Sequence, residues 1–265
     1  MTHTDIEDVV VVQGDTASAP FGGGTGGSRT AVVAGGAARD ASLEVREKAV
    51  AIAAHLLEAA PEDLEIEGGR VSVRGTPARG VAMAEVAGVA FNDPGQLPPE
   101  ISPGLEATVS YQAPPITWSN ACHVCTVEVD PHTGIVSVLR YVVSEDCGVM
   151  INPMIVEGQV AGGVAQGIGG VLYEHMIYDE DANPLTTTFL DYLVPTAVEV
   201  PDVEYGHVET RSPTPGGSKG MGEGGAIGSP PAVFNAVADA LALRGAKVTD
   251  QPLTPDRIVR ALDGS

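Results

Sequence analysis

The order of apolar and polar positions predicts a chain that mixes helices with short strands. Val9-Val10-Val11-Val12, within residues 6–13, reads as a buried strand. From about Asp40 to Ala60, apolar residues recur at Val45, Ala49, Ile52 and Leu56, the steps of three and four that stripe one helix face, and Pro61 ends the run. Leu64-Glu65-Ile66 and Val71-Ser72-Val73 flank Gly68-Gly69 as the arms of a hairpin. A short helix is predicted over Val81 to Val89, followed by a proline-rich connection from Pro94 to Pro115. His123 to Val129 then alternates, turns through Asp130-Pro131-His132-Thr133-Gly134 and returns along Ile135 to Val143. Residues 153–176 carry a helical pattern, and Thr186 to Leu193 and Val203 to Val208 read as strands. The last helix spans Pro230 to Arg244, with Ser229 as N-cap, Pro230 in the first turn and Gly245 past the end. No internal repeat is present.

One of these helices is costly. The 153–176 segment contains Gly158, Gly162, Gly163, Gly167, Gly169 and Gly170, and each glycine in a helix costs roughly 1 kcal/mol relative to alanine. Such a helix needs compensation, either very close packing or backbone contact with a ligand. Composition adds to this picture. The chain has 265 residues, 33 of them Gly and 20 Pro, with 43% hydrophobic but only 4% aromatic residues. It is long enough to bury a sizeable core, and its small residues suit a backbone that wraps a ligand closely.

Charge narrows the function classes. The net charge of −21 comes without a basic cluster, which argues against nucleic-acid and membrane binding. An anionic cofactor would have to be held by backbone N–H groups and a few placed cations. Cys122, Cys125 and Cys147 are too few and too unevenly spaced for a secreted disulfide framework. No basic n-region opens the chain and no apolar run is long enough to span a bilayer, so the expected compartment is the cytoplasm.

Three segments carry candidate chemistry. The loop from Pro20 to Thr30 frees its backbone with glycines and adds donors from Ser28, Arg29 and Thr30; it lacks the Lys-Ser/Thr pair of a P-loop. In the 216–235 segment, glycines surround Lys219 and Glu223 and run into a helix N-terminus, a ready anion site. In a crowded, partly dry loop Glu223 would act as a general base; alternatively it simply favours the helix N-terminus electrostatically. Both readings stand on the residues alone. Gln159 and Gln166, seven apart on the glycine-rich helix, share nearly one face and offer amide groups suited to a heterocycle. Cys122-His123-Val124-Cys125 has the look of a metal half-site but alternates along a strand with no second pair, so the three cysteines read as core residues and His123 as structural. His55 and His132 read as exposed, Asp130 to Gly134 as a turn, and Asp179-Glu180-Asp181 as a solvated acidic turn.

Taken together, the segments resemble the molybdenum-binding large subunit of the xanthine dehydrogenase, aldehyde oxidase and carbon monoxide dehydrogenase family. The resemblance is collinear through Gly24-Thr25-Gly26-Gly27-Ser28-Arg29, His123-Val124, Val127 to Asp130, Thr133-Gly134, Asp146-Cys147-Gly148 and Ile151-Asn152-Pro153. It continues through Glu157-Gly158-Gln159-Val160, Gly162-Gly163, Gln166 to Gly169, Asp191-Tyr192, Pro195, Lys219 to Gly224 and Pro231-Ala232 to Asp239-Ala240.

The resemblance implies an α+β, two-lobed molybdopterin-binding domain with mixed sheets and packed helices, its lobes at 1–100 and 101–265. It implies that Gly26, Gly27, Ser28, Arg29, Thr30, Gln159, Lys219 and Gly220 hold a molybdopterin dinucleotide, in the cytosine form usual in bacterial members, with no metal ligand from side chains. Glu223 then corresponds to the family's general base, which takes a proton from a hydroxyl ligand of the molybdenum while hydride moves to a sulfido ligand. Iron–sulfur and FAD groups are implied on partner subunits, as is a chain carrying the first molybdenum domain, without which turnover is not expected. The sequence also departs from the family: Gly26 stands where many members have a bulkier residue, and Ala182 replaces a common turn glycine. The alternatives are a non-catalytic dinucleotide-binding protein and an inactive relic.

Overall fold

The computed structural model describes residues 6–17, 22–115 and 117–264, so Pro20 and Phe21 of the predicted loop lie outside the described residues. These residues form two compact units, one within Met1–Gly24 and Val33–Ala113, the other within Thr25–Val32 and Pro114–Ser265. The architecture is α+β, with helices accompanying two three-stranded sheets. The glycine-rich loop from Thr25 onward groups with the C-terminal unit, whereas the sequence places it in the N-terminal lobe. Its backbone is held there: a Cβ on Gly220 would overlap the carbonyl oxygen of Ser28.

Helix α1 (Thr30–Leu57) starts ten residues before the predicted Asp40. The stretch on both sides of Gly35-Gly36 is rich in alanine, the best helix former, and so carries the helix through the glycine pair. At Gly36 the ring of Tyr111 takes the space a Cβ would fill. In the first unit α1 contributes Ala49, Ile52, Ala53 and Ala54 to a core with Leu64, Val71, Val81, Val86 and Val89. Strands β1 (Leu64–Glu67) and β2 (Arg70–Val73) form the predicted hairpin, with Gly68 and Gly69 at φ 54° and 72°, the left-handed pair a two-residue turn requires. Strand β3 (Thr76–Ala82) then pairs with β2, and α2 (Met83–Asn92) begins after it, so Val81 and Ala82 are strand residues rather than helix. Pro77 and Gly80 interrupt the alternation that would have announced β3. Val9 to Val12 form no strand and are 56–84% exposed; β-branched residues make a strand only where an edge accepts their hydrogen bonds.

In the second unit, β4 (Asn120–Val129) and β5 (Val136–Asp146) pair antiparallel from Asn120 opposite Asp146 to Val129 opposite Val136. The predicted turn closes them, with Gly134 at φ 72° and Asp130 Oδ1 accepting from the His132 and Thr133 N–H groups. Strand β6 (Val203–His207) adds parallel to β5, making a mixed sheet of order β4-β5-β6. Thr186 to Leu193 is not a strand: Thr188 accepts at its carbonyl from Asp191 and Tyr192 N–H and donates its hydroxyl to Asp191, folding the segment into a turn.

Helix α3 (Pro153–Leu172) is capped by Asn152, whose side chain accepts from Ile155 N–H. Helix α4 (Gly224–Ala242) starts six residues before Pro230 and runs through Pro230 and Pro231. Two helix hydrogen bonds are forfeited by those prolines, but the extra turns dock on α3. Ser229, read as an N-cap, is instead a buried helix residue whose hydroxyl donates to Gly163 O at 2.9 Å. Gly245 ends the helix as predicted, at φ 77°. Helix α5 (Pro255–Asp263) was not foreseen; it adds Ile258 to the core formed by Tyr141, Val143, Val164, Ile168, Val237 and Leu253. Among the described residues no helix is long and apolar enough to cross a membrane.

The glycines of α3 divide into two sets, apart from Gly169, which packs against Glu174 and Pro195. Added Cβ atoms on Gly163 and Gly167 would overlap Ala226 and Ser229 of α4, whereas Gly158, Gly162 and Gly170 face open space. Close helix packing therefore compensates the first set. We expect Gly167→Ala to destabilise the chain by about 1–3 kcal/mol through overpacking, and Gly158→Ala to stabilise it by up to about 1 kcal/mol. Urea unfolding of both variants checks this, and equal effects at the two positions would contradict it.

Candidate active site

The site begins with a strained turn. Gly27 and Ser28 both adopt left-handed backbone, at φ 62° and 56°. Glycine does so freely, but for serine the conformation costs about 1–2 kcal/mol. Two hydrogen bonds hold Ser28 there: its hydroxyl accepts from Glu223 N–H at 2.9 Å and donates to Glu223 Oε2 at 2.8 Å. A hydroxyl has one proton and two lone pairs, so both bonds are satisfied at once. Glu223 is thus fixed through main chain and side chain by one residue.

The glycine-rich loop before α4 is clamped along its length. Lys219 N–H donates to Cys147 O at 2.7 Å and Val149 N–H to Gly217 O at 3.1 Å. The hydroxyls of Ser212 and Thr214 both donate to Ser218 O at 2.7 Å. Lys219, expected to hold cofactor, has its buried ammonium on Asp146 Oδ2 at 2.8 Å and Thr210 Oγ1 at 2.7 Å. Its charge is committed to the fold, and the residue itself lines a cavity beside Ser28. Burial pushes the Asp146 carboxyl up, but donors from Lys219, Thr210 and Gly148 outweigh it and hold the group well below the usual carboxylate range.

Two cavities flank Ser28. One, of about 290 Å³, is lined by Ser28, Val149, Asn152, Ile155, Gln159 and Gly222 among others. The other, of about 270 Å³, includes Ser28, Arg29, Trp118, Gly220, Glu223 and Ile227. Gln159 reaches the junction: a Cβ on Gly222 would lie 3.3 Å from Gln159 Oε1 and 3.5 Å from Ser28 Oγ. The second cavity also takes in Gly27, whereas Gly26 and Gln166 line neither. Thr30 starts α1, its hydroxyl 2.5 Å from that of Thr25. Glu223 is the exposed N-cap residue of α4 and not the crowded, partly dry carboxylate expected.

The remaining candidates are structural, with one correction. Cys147 is buried and Cys125 half-buried, but Cys122 is exposed on β4 and is not a core residue. His123 Nδ1 shares a hydrogen bond of 3.0 Å with Tyr141 Oη. Among the described residues no group of three or more His, Cys, Asp or Glu side chains is placed to hold a metal. Asp179 accepts from the N–H groups of Asp181 and Asn183 in an exposed turn, where Ala182 sits at φ 64°. Sequence reasoning missed Trp118 and the role of Asp146. Asp146 lay in a recognised segment, but nothing local announces a cation 73 positions away.

Residues 1–201 match the family described as the molybdopterin cofactor-binding domain. The nicotine 6-hydroxylase large subunit of Paenarthrobacter nicotinovorans is 45% identical over 97% of this chain and 32% of its own length. Among solved structures, quinoline 2-oxidoreductase from Pseudomonas putida 86 is 46% identical with a TM-score of 0.83, over 92% of this chain and 31% of its own. Reconstituted CO dehydrogenase from Oligotropha carboxidovorans is 38% identical with a TM-score of 0.86, over 97% of this chain and 32% of its own. The chain therefore spans about a third of the relatives it matches. With the family and the fold agreeing across nearly its whole length, this chain belongs to the molybdopterin-binding region of the molybdenum hydroxylase large subunits.

Proposed function

We propose that this chain forms the C-terminal part of a molybdenum-cofactor oxidoreductase that hydroxylates an aldehyde, an N-heterocycle or a similar small substrate, or oxidises CO, with water as the oxygen source. The observation that carries this reading is the double hydrogen bond between Ser28 and Glu223 at the rim of the two cavities. It fixes a carboxylate beside a wall of bare backbone.

The residues suit a pterin dinucleotide. Gly27, Gly220 and Gly222 keep side chains off the walls, so an extended ligand can lie against the backbone. The Gln159 amide offers both donors and an acceptor to a heterocycle edge. Gly26, Gly27, Ser28 and Arg29 lead directly into α1 at Thr30, whose N-terminal N–H groups favour an anion such as a pyrophosphate. In a chain of net charge −21, that local attraction has to do what the overall field does not. When bound, the cofactor, proposed to be the cytosine dinucleotide, supplies the molybdenum centre that activates a water-derived oxygen and accepts electrons. Glu223 would act as the general base of the site, its carboxylate placed to take up a proton. Ser28 donates to Oε2 and leaves Oε1 to take it. Lys219 stands in the wall of the first cavity and also holds the loop through Asp146.

The rest of the large subunit, together with iron–sulfur and FAD subunits, completes the proposed enzyme. The experiment is to assemble the chain with those parts and follow dye-linked oxidation of an N-heterocycle, an aldehyde and CO. Oxidation of one of them only when this chain is present supports the reading. Full activity of the isolated chain, or a pterin-loaded assembly that oxidises none of the three, would overturn it.

A further inference from the structure

Behind the catalytic loop lies a second carboxylate that the proposed function does not use. Glu145, on β5, is 4% exposed, and neither of its carboxylate oxygens has a hydrogen-bond partner among the described residues. It lies against the first residue of α4, since a Cβ on Gly224 would be 2.6 Å from Glu145 Oε1. Gly224 directly follows Glu223 in the chain. One helical turn further along α4, a Cβ on Gly228 would be 2.5 Å from His123 Nε2, which is also buried and without a partner. The two orphaned groups therefore lie under the same face of α4, beneath glycines four residues and about 6 Å apart along its axis. That span suits one ordered water, and buried polar atoms as a rule find such a partner.

Resting on the reading of Glu223 as general base, we infer that Glu145 is a positioning residue beneath it: a neutral, proton-holding carboxylic acid joined through one buried water to His123 and Tyr141. The acid donates its proton toward His123 Nε2, and the imidazole keeps its own proton on Nδ1, facing Tyr141 Oη. Burial, and then the neighbouring Asp146, push the Glu145 carboxyl up to about 7. Burial alone lowers His123, which keeps the ring a neutral acceptor.

The charged and titratable groups around Glu145 are few. Its own strand places Asp146 beside it, already paired with Lys219, and Cys147 follows. Strand β4 presents His123, and β6 sets His207 in register with Glu145, the His207 imidazole on Gly148 O. Helix α4 brings its N-cap residue, Glu223, next to Gly224. When Glu145 loses its proton, a negative charge appears under the turn that carries Glu223 and raises the proton affinity of the base. Turnover should step up as the pH passes about 7.

The test compares wild type with Glu145→Gln and His123→Phe in the assembled enzyme. The infrared carbonyl band of a neutral carboxylic acid should be present in wild type at about pH 6 and absent from Glu145→Gln. The kcat profile of wild type should show a severalfold step near pH 7. Glu145→Gln should flatten that step with KM within about twofold of wild type, and His123→Phe should move it to lower pH. A wild type without the band, or a Glu145→Gln profile that superimposes on it, overturns the inference. An assembly that shows the band but oxidises no substrate contradicts the proposed function and leaves the proton site standing.

Discussion

Glu223→Gln, made in the assembled enzyme, should lower kcat by about 10²–10⁴-fold, the usual contribution of a positioned acid–base group. The amide keeps the size of the carboxylate and can still accept from the Ser28 hydroxyl, now seen at 2.8 Å from Oε2. The main-chain bond from residue 223 to Ser28 Oγ is untouched, so the loop geometry and the pterin content should stay at the wild-type level. KM should change little, because the lost interaction is made in the transition state. Ser28→Ala makes the complementary case. It frees the carboxylate without removing it, so kcat should fall by less than in Glu223→Gln. Glu223→Gln turning over within about tenfold of wild type, at equal cofactor content, would remove Glu223 from the role of base.

The second large effect concerns the fold behind the loop. Lys219→Met should destabilise the chain by about 3–5 kcal/mol, the cost of leaving one partner of a buried ion pair alone. Lys219 and Asp146 side chains are 8% and 11% exposed, and Asp146 holds the turn through Gly148 N–H and Thr210 N–H as well. Adding Asp146→Asn should recover part of that loss, since it removes the stranded charge. The pH dependence has a fixed sign. The folded Asp146 carboxyl lies below its unfolded value, so its stabilisation is fully present above the unfolded value and is lost only as pH falls through the folded one. Lys219→Met should therefore lose most of its difference from wild type in strong acid. Urea titrations across pH would show this, and a cost below about 1 kcal/mol at neutral pH would mean the pair is not holding the loop.

Much of this arrangement was legible in the residues, and what was hidden has identifiable causes. The β1–β2 and β4–β5 hairpins follow from alternation and from glycines at left-handed turns. The glycine-rich character of α3 announced a close approach, and Gly163 and Gly167 meet α4 as that demanded. Helix starts were harder. Gly35-Gly36 and Pro230-Pro231 are local breakers, yet the alanine-rich flanks of the first and the Ser229–Gly163 contact at the second carry α1 and α4 through them. The Val9–Val12 run shows the opposite failure, where strand preference has no edge to satisfy it.

At the candidate site, Ser28, Gln159, Gly220 and Glu223 were named from the chain and are brought together around two cavities. Lys219 lines the first cavity, and only the three-dimensional structure shows Asp146 beneath its ammonium. Glu145 was invisible for a related reason: its neighbour on α4, Gly224, is 79 positions away and is a glycine, which carries no side-chain signal.

The central claim is that this chain supplies one wall of a pterin dinucleotide site with a carboxylate at its edge. The most direct measurement is the amount of pterin dinucleotide released on denaturing the purified assembly, per copy of this chain, in wild type and in Gly220→Val. That substitution drives a branched side chain into the Ser28 carbonyl and leaves residue 223 a glutamate. The account predicts about one pterin per chain in wild type and a marked loss in a folded Gly220→Val assembly. No pterin in wild type, or an undiminished amount in Gly220→Val, would contradict it.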